Sequence, residues 1–223
     1  MTAAEVLREL ETLGTEQNRK IYRRHGAGDK LYGVSFANIT KLQKRIKQDQ
    51  TMAVELWESG YCEARVLAAQ IANPAAMNDR ALDAWVKDLD NPIVSDYFSG
   101  LLVKTSQARK KTDKWVKSKN EWIGRAGWVT VARLAMEPND LPNEYFEDYI
   151  EIIERDIHES KNRVREAMNN ALIAIGTRNE LLEEKAIAAA KRIGKVEIDH
   201  GETDCKTPDA VAYIKKAVER KKR

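Results

Sequence analysis

Residues 91–136, NPIVSDYFSGLLVKTSQARKKTDKWVKSKNEWIGRAGWVTVARLAM, decide the fold class of this chain. Apolar residues recur in this stretch with a period near that of an α-helix, so it predicts three successive amphipathic helices. Asp96 falls near the predicted start of the first helix and Arg125 near the start of the third. Arg125 lies among small residues, and an arginine there can reach outward to an anion. Its donors form a rigid fork that suits phosphate, and the helix N-terminus adds partial positive charge.

The same helical pattern runs from one end of the 223-residue chain to the other, and no stretch alternates convincingly with the period of a strand. We therefore expect an all-α chain of stacked antiparallel helix pairs, forming a single domain over residues 1–223. The predicted helix starts include N-caps at Ser35 and Thr51. The central helix that carries Asp96 is predicted over residues 95–103, and Pro208 is predicted as the first residue of the last helix.

Composition limits the classes of partner and location. The net charge is only +3, from 38 basic and 35 acidic residues, so attraction to nucleic acid must come from the placement of basic side chains. Cys62 and Cys205 come with no recognisable signal peptide, which predicts a reduced, cytoplasmic location without structural disulfides. No apolar run approaches the roughly 20 residues needed to cross a bilayer, so a membrane protein is not expected. We expect a monomer.

Three local patterns allow both a functional and a structural interpretation. The glycines of residues 26–33 could cradle a phosphate, although a turn is favoured because no strand precedes them. The helix after Ser35 should bury Phe36 and present a basic face that contacts DNA or is merely solvated; that face contains Lys41, Lys44, Arg45 and Lys47. The acidic, histidine and cysteine side chains of residues 199–205 have a metal-like mixture, but a structural loop is favoured over a zinc site, and no metal or cofactor is predicted.

A weak repeat is visible in the helix starts at Arg65, Arg125 and Arg165. Each arginine lies about one turn into a helix of small residues, with a spacing consistent with a two-helix repeat of roughly 30 to 47 residues. Stacked helix pairs form a curved α-solenoid, and arginines at the inner-helix starts would line its concave face. A groove lined in this way suits the backbone of double-stranded DNA, damaged or structured. The alternative is that these arginines pair with acids of neighbouring repeats.

The order and spacing of SDYFSGLL, NEWIGRAGW, SKNRVREAMNNALIAIG and EIDHGETDCKTPDA resemble the HEAT-like-repeat DNA alkylation repair family, the alkylpurine DNA glycosylases and their relatives. The resemblance covers nearly the whole chain and implies a HEAT-like solenoid. It also implies that Asp96 is the carboxylate that stabilises positive charge on the deoxyribose as an N3- or N7-alkylated purine leaves. By the same resemblance Arg125 holds the DNA backbone and Tyr22 approaches the DNA.

Two positions depart from that family. Active members have tryptophans where this chain has Pro92 and, by alignment, Asn170, so the aromatic walls that press on the nucleotide are missing unless Trp122, Trp128 or Tyr97 replaces them. The sequence therefore predicts a divergent DNA-binding member with weak or absent N-glycosylase activity. The alternative is a non-catalytic helical scaffold that binds a protein partner on its concave face.

Overall fold

A computed structural model describes residues 1–221, and within that part of the chain every regular element is helical. The α-helices are α1 (Ala3–Leu13), α2 (Glu16–Arg24), α3 (Phe36–Ile46), α4 (Gln50–Glu58), α5 (Cys62–Ile71), α6 (Asp79–Trp85), α7 (Pro92–Leu102), α8 (Ala108–Trp115), α9 (Glu121–Met136), α10 (Asn143–Asp156), α11 (Asn162–Gly176), α12 (Glu180–Ile193) and α13 (Ala210–Lys221). Short 3-10 helices occupy Pro74–Ala76 and Val86–Asp88. The prediction of an all-α chain is confirmed. No helix among the described residues is both long and apolar enough to cross a membrane.

Two of the predicted helix starts can be compared with the backbone directly. Ser35 caps α3 as predicted, and its hydroxyl oxygen accepts the Asn38 N–H at 3.3 Å. The prediction of Thr51 as a cap is wrong, because the carboxylate of Asp49 accepts the Met52 N–H at 2.9 Å and caps α4 two residues before Thr51. A side-chain oxygen at this position satisfies one of the N–H groups that a helix leaves unpaired at its start.

The last helix also starts differently from its prediction. Pro208 precedes α13 and is not its first residue, which is Ala210. The Asp209 side chain accepts the N–H of Ala212 at 2.8 Å and so takes the capping position. Pro208 lies in the irregular segment that precedes the helix.

The chain forms two compact units, one of residues 1–110 with 201–203 and the other of residues 111–200 with 204 onward. In the first unit α5 is the central helix, because it packs against α1, α3, α4 and α7. Its small side chains, such as Ala64 and Ala68, are fully buried and allow this close packing. The rings of Trp57 and Trp85 stack beside it with centroids 4.1 Å apart. The single domain over residues 1–223 stays a prediction.

In the second unit the corresponding central helix is α11, which packs against α9, α10, α12 and α13. At Gly176 a Cβ atom would lie 2.7 Å from Cδ1 of Ile214 and 2.9 Å from Cβ of Ala186, so a larger residue would force α12 and α13 away from α11. The apolar face of α10 is buried; it contains Tyr145, Phe146, Tyr149, Ile150 and Ile153. Each unit is thus built around one alanine-rich inner helix.

Candidate nucleic-acid interface

Asp96 lies on α7, which starts earlier than predicted. The side-chain oxygen of Asn91 accepts the Val94 N–H at 3.0 Å, and Pro92 is the first helical residue. Proline suits that position because its fixed φ is helical and no N–H is needed there. The predicted start at Ser95 is therefore wrong. Asp96 is partly exposed in the second turn, beyond the first turn in which the helix dipole acts strongly.

Next to Asp96 in the sequence, Tyr97 belongs to an aromatic row made of Tyr22, Phe36 and Tyr97. The centroid of the Phe36 ring is 5.4 Å from that of Tyr22 and 5.8 Å from that of Tyr97. Phe36 is 38% exposed, so the prediction that it belongs to the buried stripe of α3 is wrong. As the first residue of its helix it packs sideways on the two tyrosine rings, and part of the ring remains open to solvent.

Tyr22 is the buried member of this row. It is 7% exposed, and its hydroxyl donates to the carbonyl oxygen of Val34 at 2.7 Å. Burial, its largest cause, raises the pKa of Tyr22 to about 12. Of these two rings, that of Phe36 is therefore the one that reaches solvent, and the buried Tyr22 ring packs against it. The role of Tyr22 in approaching DNA stays a prediction.

The glycine-containing turn before α3 wraps around a carboxylate of the protein itself. Glu63 is 1% exposed, and its two carboxylate oxygens accept the backbone N–H groups of Tyr32 at 2.9 Å, Gly33 at 2.5 Å and Val34 at 3.0 Å. Gly33 has a positive φ of 80°, which glycine adopts without strain. We call these three N–H groups with Glu63 the Glu63 cradle. The turn interpretation was favoured for this region, and the amides of Tyr32 and Gly33 at its end are occupied by Glu63, so these two do not hold a phosphate.

Arg65, one turn into α5, bonds mainly to the main chain. Its guanidinium donates to the carbonyl oxygens of Trp57 at 3.2 Å and Asp88 at 2.9 Å, and lies over the Trp57 ring at 5.5 Å. It therefore joins the end of α4 and the 3-10 helix after α6 to the start of α5. Because two nitrogens of its guanidinium already donate to the main chain, Arg65 has fewer donors left for the phosphate contact predicted from the sequence.

Arg165 makes the same kind of contact in the second unit. Its guanidinium donates to the carbonyl oxygens of His158 and Ser160, each at 2.9 Å, and of Glu197, also at 2.9 Å. It joins the turn after α10, the start of α11 and the segment after α12. The alternative weighed for the arginines was an acidic partner on a neighbouring repeat, but the observed acceptors of Arg65 and Arg165 are main-chain carbonyls.

Arg125 is buried in the fifth position of α9, with only 5% of its surface exposed. This burial contradicts the expectation that the side chain reaches freely outward to an anion. The small residues beside it serve helix packing, since a Cβ atom at Gly127 would lie 2.6 Å from the backbone nitrogen of Val116. The assignment of a DNA-backbone contact to Arg125 stays a prediction that the burial of this residue does not favour.

The paired asparagines of α11 have opposite environments. Asn169 is 1% exposed, and its amide donates to the carbonyl oxygen of Pro208 at 3.0 Å. Asn170 is exposed. The position of the missing family tryptophan is therefore a surface position of α11, where DNA contact by Asn170 stays a prediction.

The irregular segments that follow α12 are held against α11 and line an open cavity of about 1000 Å³. The Asn162 side chain donates to the carbonyl oxygen of Asp199 and accepts its N–H, both at 2.8 Å. The His200 ring and the Thr207 hydroxyl lie 3.1 Å apart. Among residues 1–221 no three His, Cys, Asp or Glu side chains are arranged as metal ligands.

Comparison with known proteins gives results that agree with one another. The family model for the DNA alkylation repair enzyme matches residues 6–214. The uncharacterized protein Lin0241 of Listeria innocua is 31% identical over 220 residues, covering 94% of both chains. The uncharacterized protein Lmo0209 of Listeria monocytogenes is 30% identical over 225 residues, covering 96% of both.

One solved structure superimposes with a TM-score of 0.92 at 31% identity, covering 99% of this chain and 95% of its own. It is described as "a new family of proteins related to the HEAT-like repeat DNA glycosylases with affinity for branched DNA structures". The predicted HEAT-like fold class is thereby confirmed. The family match spans nearly the whole chain, and the chain belongs to the DNA alkylation repair enzyme family.

Proposed function

We propose that this protein binds DNA, prefers branched to linear duplex DNA, and excises N3- or N7-alkylated purines weakly or not at all. The observation that carries the proposal is the similarity, over 99% of this chain, to a structure whose family has affinity for branched DNA. A small net charge of +3 does not oppose it, because exposed lysines are concentrated locally, as at Lys41 and Lys44 on α3 and at Lys47 directly after it.

The expectation of weak excision follows from what surrounds Asp96. A carboxylate can stabilise an oxocarbenium-like state only when the nucleotide is held against it, and a misplacement of about 1 Å can cost around 100-fold in rate. Of the two family tryptophan positions, Pro92 is used to start α7 and Asn170 is a surface amide. Trp128 does not replace them, because it is 1% exposed and packs edge-on against Tyr149 at 5.5 Å.

Binding is tested by titrating the protein with a four-way DNA junction and with a linear duplex of the same sequence at several salt concentrations. We expect tighter binding of the junction. The logarithm of the affinity should fall linearly with the logarithm of the salt concentration, by about 0.9 for each phosphate neutralised. Equal affinity for the two DNAs would contradict the preference for branches, and no salt-dependent binding to either would contradict the proposal as a whole.

Excision is tested by measuring base release from duplex DNA that contains N7-methylguanine or N3-methyladenine. We expect little or no release by the parent protein or by Asp96→Asn, with DNA binding kept in both. Robust release that disappears in Asp96→Asn would restore the glycosylase assignment, with Asp96 as its electrostatic catalyst. The protein-scaffold alternative has little support in the surface, because large exposed apolar side chains such as Met136, Leu181 and Tyr213 are scattered over different helices.

A further inference from the structure

We propose that Phe36 and Tyr97 form the contact that receives an unpaired or unstacked base at a DNA branch point. This inference rests on the proposed function and assigns the branch preference to a place on the first unit. Phe36 is 38% exposed and stacks against the partly exposed Tyr97, with ring planes 28° apart. An aromatic surface can stack on any base, because every base has a π-face.

The exposed ring is held in place before any ligand arrives. The Tyr22 ring packs against the Phe36 ring, with centroids 5.4 Å apart. The Tyr22 hydroxyl donates to the carbonyl oxygen of Val34 at 2.7 Å, which fixes the tyrosine. Val34 is itself held by the Glu63 cradle, since its N–H donates to the carboxylate at 3.0 Å. A ring that is already fixed loses little conformational entropy on binding, so a larger share of the stacking energy contributes to affinity.

The helix that carries Phe36 also offers a positive charge for the DNA backbone. Phe36, Thr40 and Lys44 are spaced i, i+4 and i+8 on α3, so they lie along one side of the helix, and both Thr40 and Lys44 are exposed. Eight residues advance a helix by about 12 Å, which corresponds to between three and four steps of about 3.4 Å along a DNA strand. Lys44 can therefore contact a phosphate a few nucleotides from a base that lies on Phe36.

The aromatic pair favours a base over a phosphate, because an aromatic ring stacks on the π-face of a base. With this pair at one end and Lys44 at the other, an unpaired base can lie on Phe36 while its backbone runs along α3.

The test uses a three-way DNA junction with the fluorescent base 2-aminopurine at an unpaired branch-point position, and a linear duplex of matched sequence, at one fixed salt concentration. The variants are Phe36→Leu, which keeps apolar volume but loses the π-face, and Phe36→Trp, which keeps a π-face. Tyr213→Leu is the matched control, because Tyr213 is an aromatic residue of α13 with 53% of its surface exposed. Circular dichroism and unfolding curves check that each variant is folded.

We expect the parent to change the 2-aminopurine emission on binding and Phe36→Leu to abolish that change. Phe36→Leu should weaken junction binding on the order of tenfold, as loss of one base–aromatic stack does, and leave duplex binding within about twofold. Phe36→Trp and Tyr213→Leu should behave like the parent. A parental junction preference that survives in Phe36→Leu would overturn the Phe36–Tyr97 assignment but leave the proposed function intact. If the parent itself shows no junction preference, the proposed preference for branched DNA fails and this inference fails with it.

Discussion

The two inner helices, α5 and α11, both bind the main chain of neighbouring segments, but they use different side chains to do so. In both, an arginine in the fourth position donates to main-chain carbonyls of the preceding helix end and of the segment after the following helix. In both, further polar side chains hydrogen-bond to the main chain of an irregular segment that packs on the helix. On α5 that side chain is the carboxylate of Glu63, whereas on α11 it is the pair of amides Asn162 and Asn169.

The difference lies in how strongly each segment is tied and what remains beside it. A carboxylate is acceptor-only and forms strong, charge-assisted hydrogen bonds, so Glu63 holds three consecutive N–H groups in one turn. An amide forms weaker neutral bonds, and the segments on α11 leave a cavity of about 1000 Å³. The rigid turn lies directly before Phe36 in the chain, which indicates that the first unit is the better support for a contact that must be fixed in advance.

The largest effect is expected from removing the Glu63 carboxylate. Glu63→Ala should lower the free energy of unfolding by about 3 to 5 kcal/mol, because three buried N–H groups lose a charged acceptor. Glu63→Gln should restore part of this loss, because its amide oxygen can still accept the N–H groups of Gly33 and Val34, whereas its amide nitrogen cannot accept that of Tyr32. Urea unfolding at neutral pH measures both variants.

Glu58→Ala is the matched control for the Glu63 variants, because Glu58 is an exposed glutamate at the end of α4. It should change the unfolding free energy by no more than about 0.5 kcal/mol. Equal stability of Glu63→Ala and Glu58→Ala would show that the Glu63 cradle contributes little to the folded state. A loss in Glu63→Ala should also reduce the junction preference of the residual folded protein, since the cradle supports the aromatic row.

The next effect in size concerns the two arginines. Arg65→Ala and Arg165→Ala should each lower the free energy of unfolding by about 2 kcal/mol, because charge-assisted bonds to main-chain carbonyls are lost. The salt slope of DNA binding separates this structural role from the role predicted from sequence. Loss of a phosphate contact would reduce the slope by about 0.9 for each arginine, whereas a structural role leaves it unchanged.

We expect the salt slope to stay the same in both arginine variants. Arg24→Ala, at an exposed position at the end of α2, is the control for the loss of one positive charge. A flattened slope together with unchanged stability in Arg65→Ala or Arg165→Ala would reinstate the row of DNA-binding arginines. It would also end the structural equivalence of α5 and α11.

The smallest effect is expected at the amides of α11. Asn169→Ala should cost about 1 kcal/mol, the usual value for one neutral hydrogen bond, because the Pro208 carbonyl loses its donor. Asn170→Ala, its exposed neighbour, should cost less than about 0.5 kcal/mol. Hydrogen exchange of residues 209–214 should quicken in Asn169→Ala only. A larger loss of stability in Asn170→Ala than in Asn169→Ala would contradict the assignment of Asn169 as the buried, hydrogen-bonded asparagine and Asn170 as the exposed one.

Much of the helical pattern was predictable because it depends on local periodicity. The helical class of the chain and the cap of α3 at Ser35 agree with those expected from the sequence. The starts of α4 and α7 were placed late, because a cap is chosen by which nearby side chain meets the first N–H groups. Adjacent candidates such as Asp49 and Thr51 differ little in a linear pattern.

The candidate site was harder to predict from the sequence than the helices were. Phe36 looked like a core residue because it continues the apolar stripe of α3, and its exposure depends on the positions of the Tyr22 and Tyr97 rings. Glu63 gave no functional signal, since a lone acid near a helix start is ordinary and its three N–H partners lie about thirty residues earlier in the chain. Both features depend on contacts between elements distant in sequence.

The sequence by itself determined the helical class, the order of the helices and the family, because periodicity and motif order are properties of the linear chain. Only the tertiary structure decided what each polar side chain does. Arg65 and Arg165 could bond to phosphate, to acids or to carbonyls, and the nearest acceptors in the folded chain are carbonyls. A side chain with several possible partners bonds to those that packing brings within about 3 Å, and packing is a property of the whole fold.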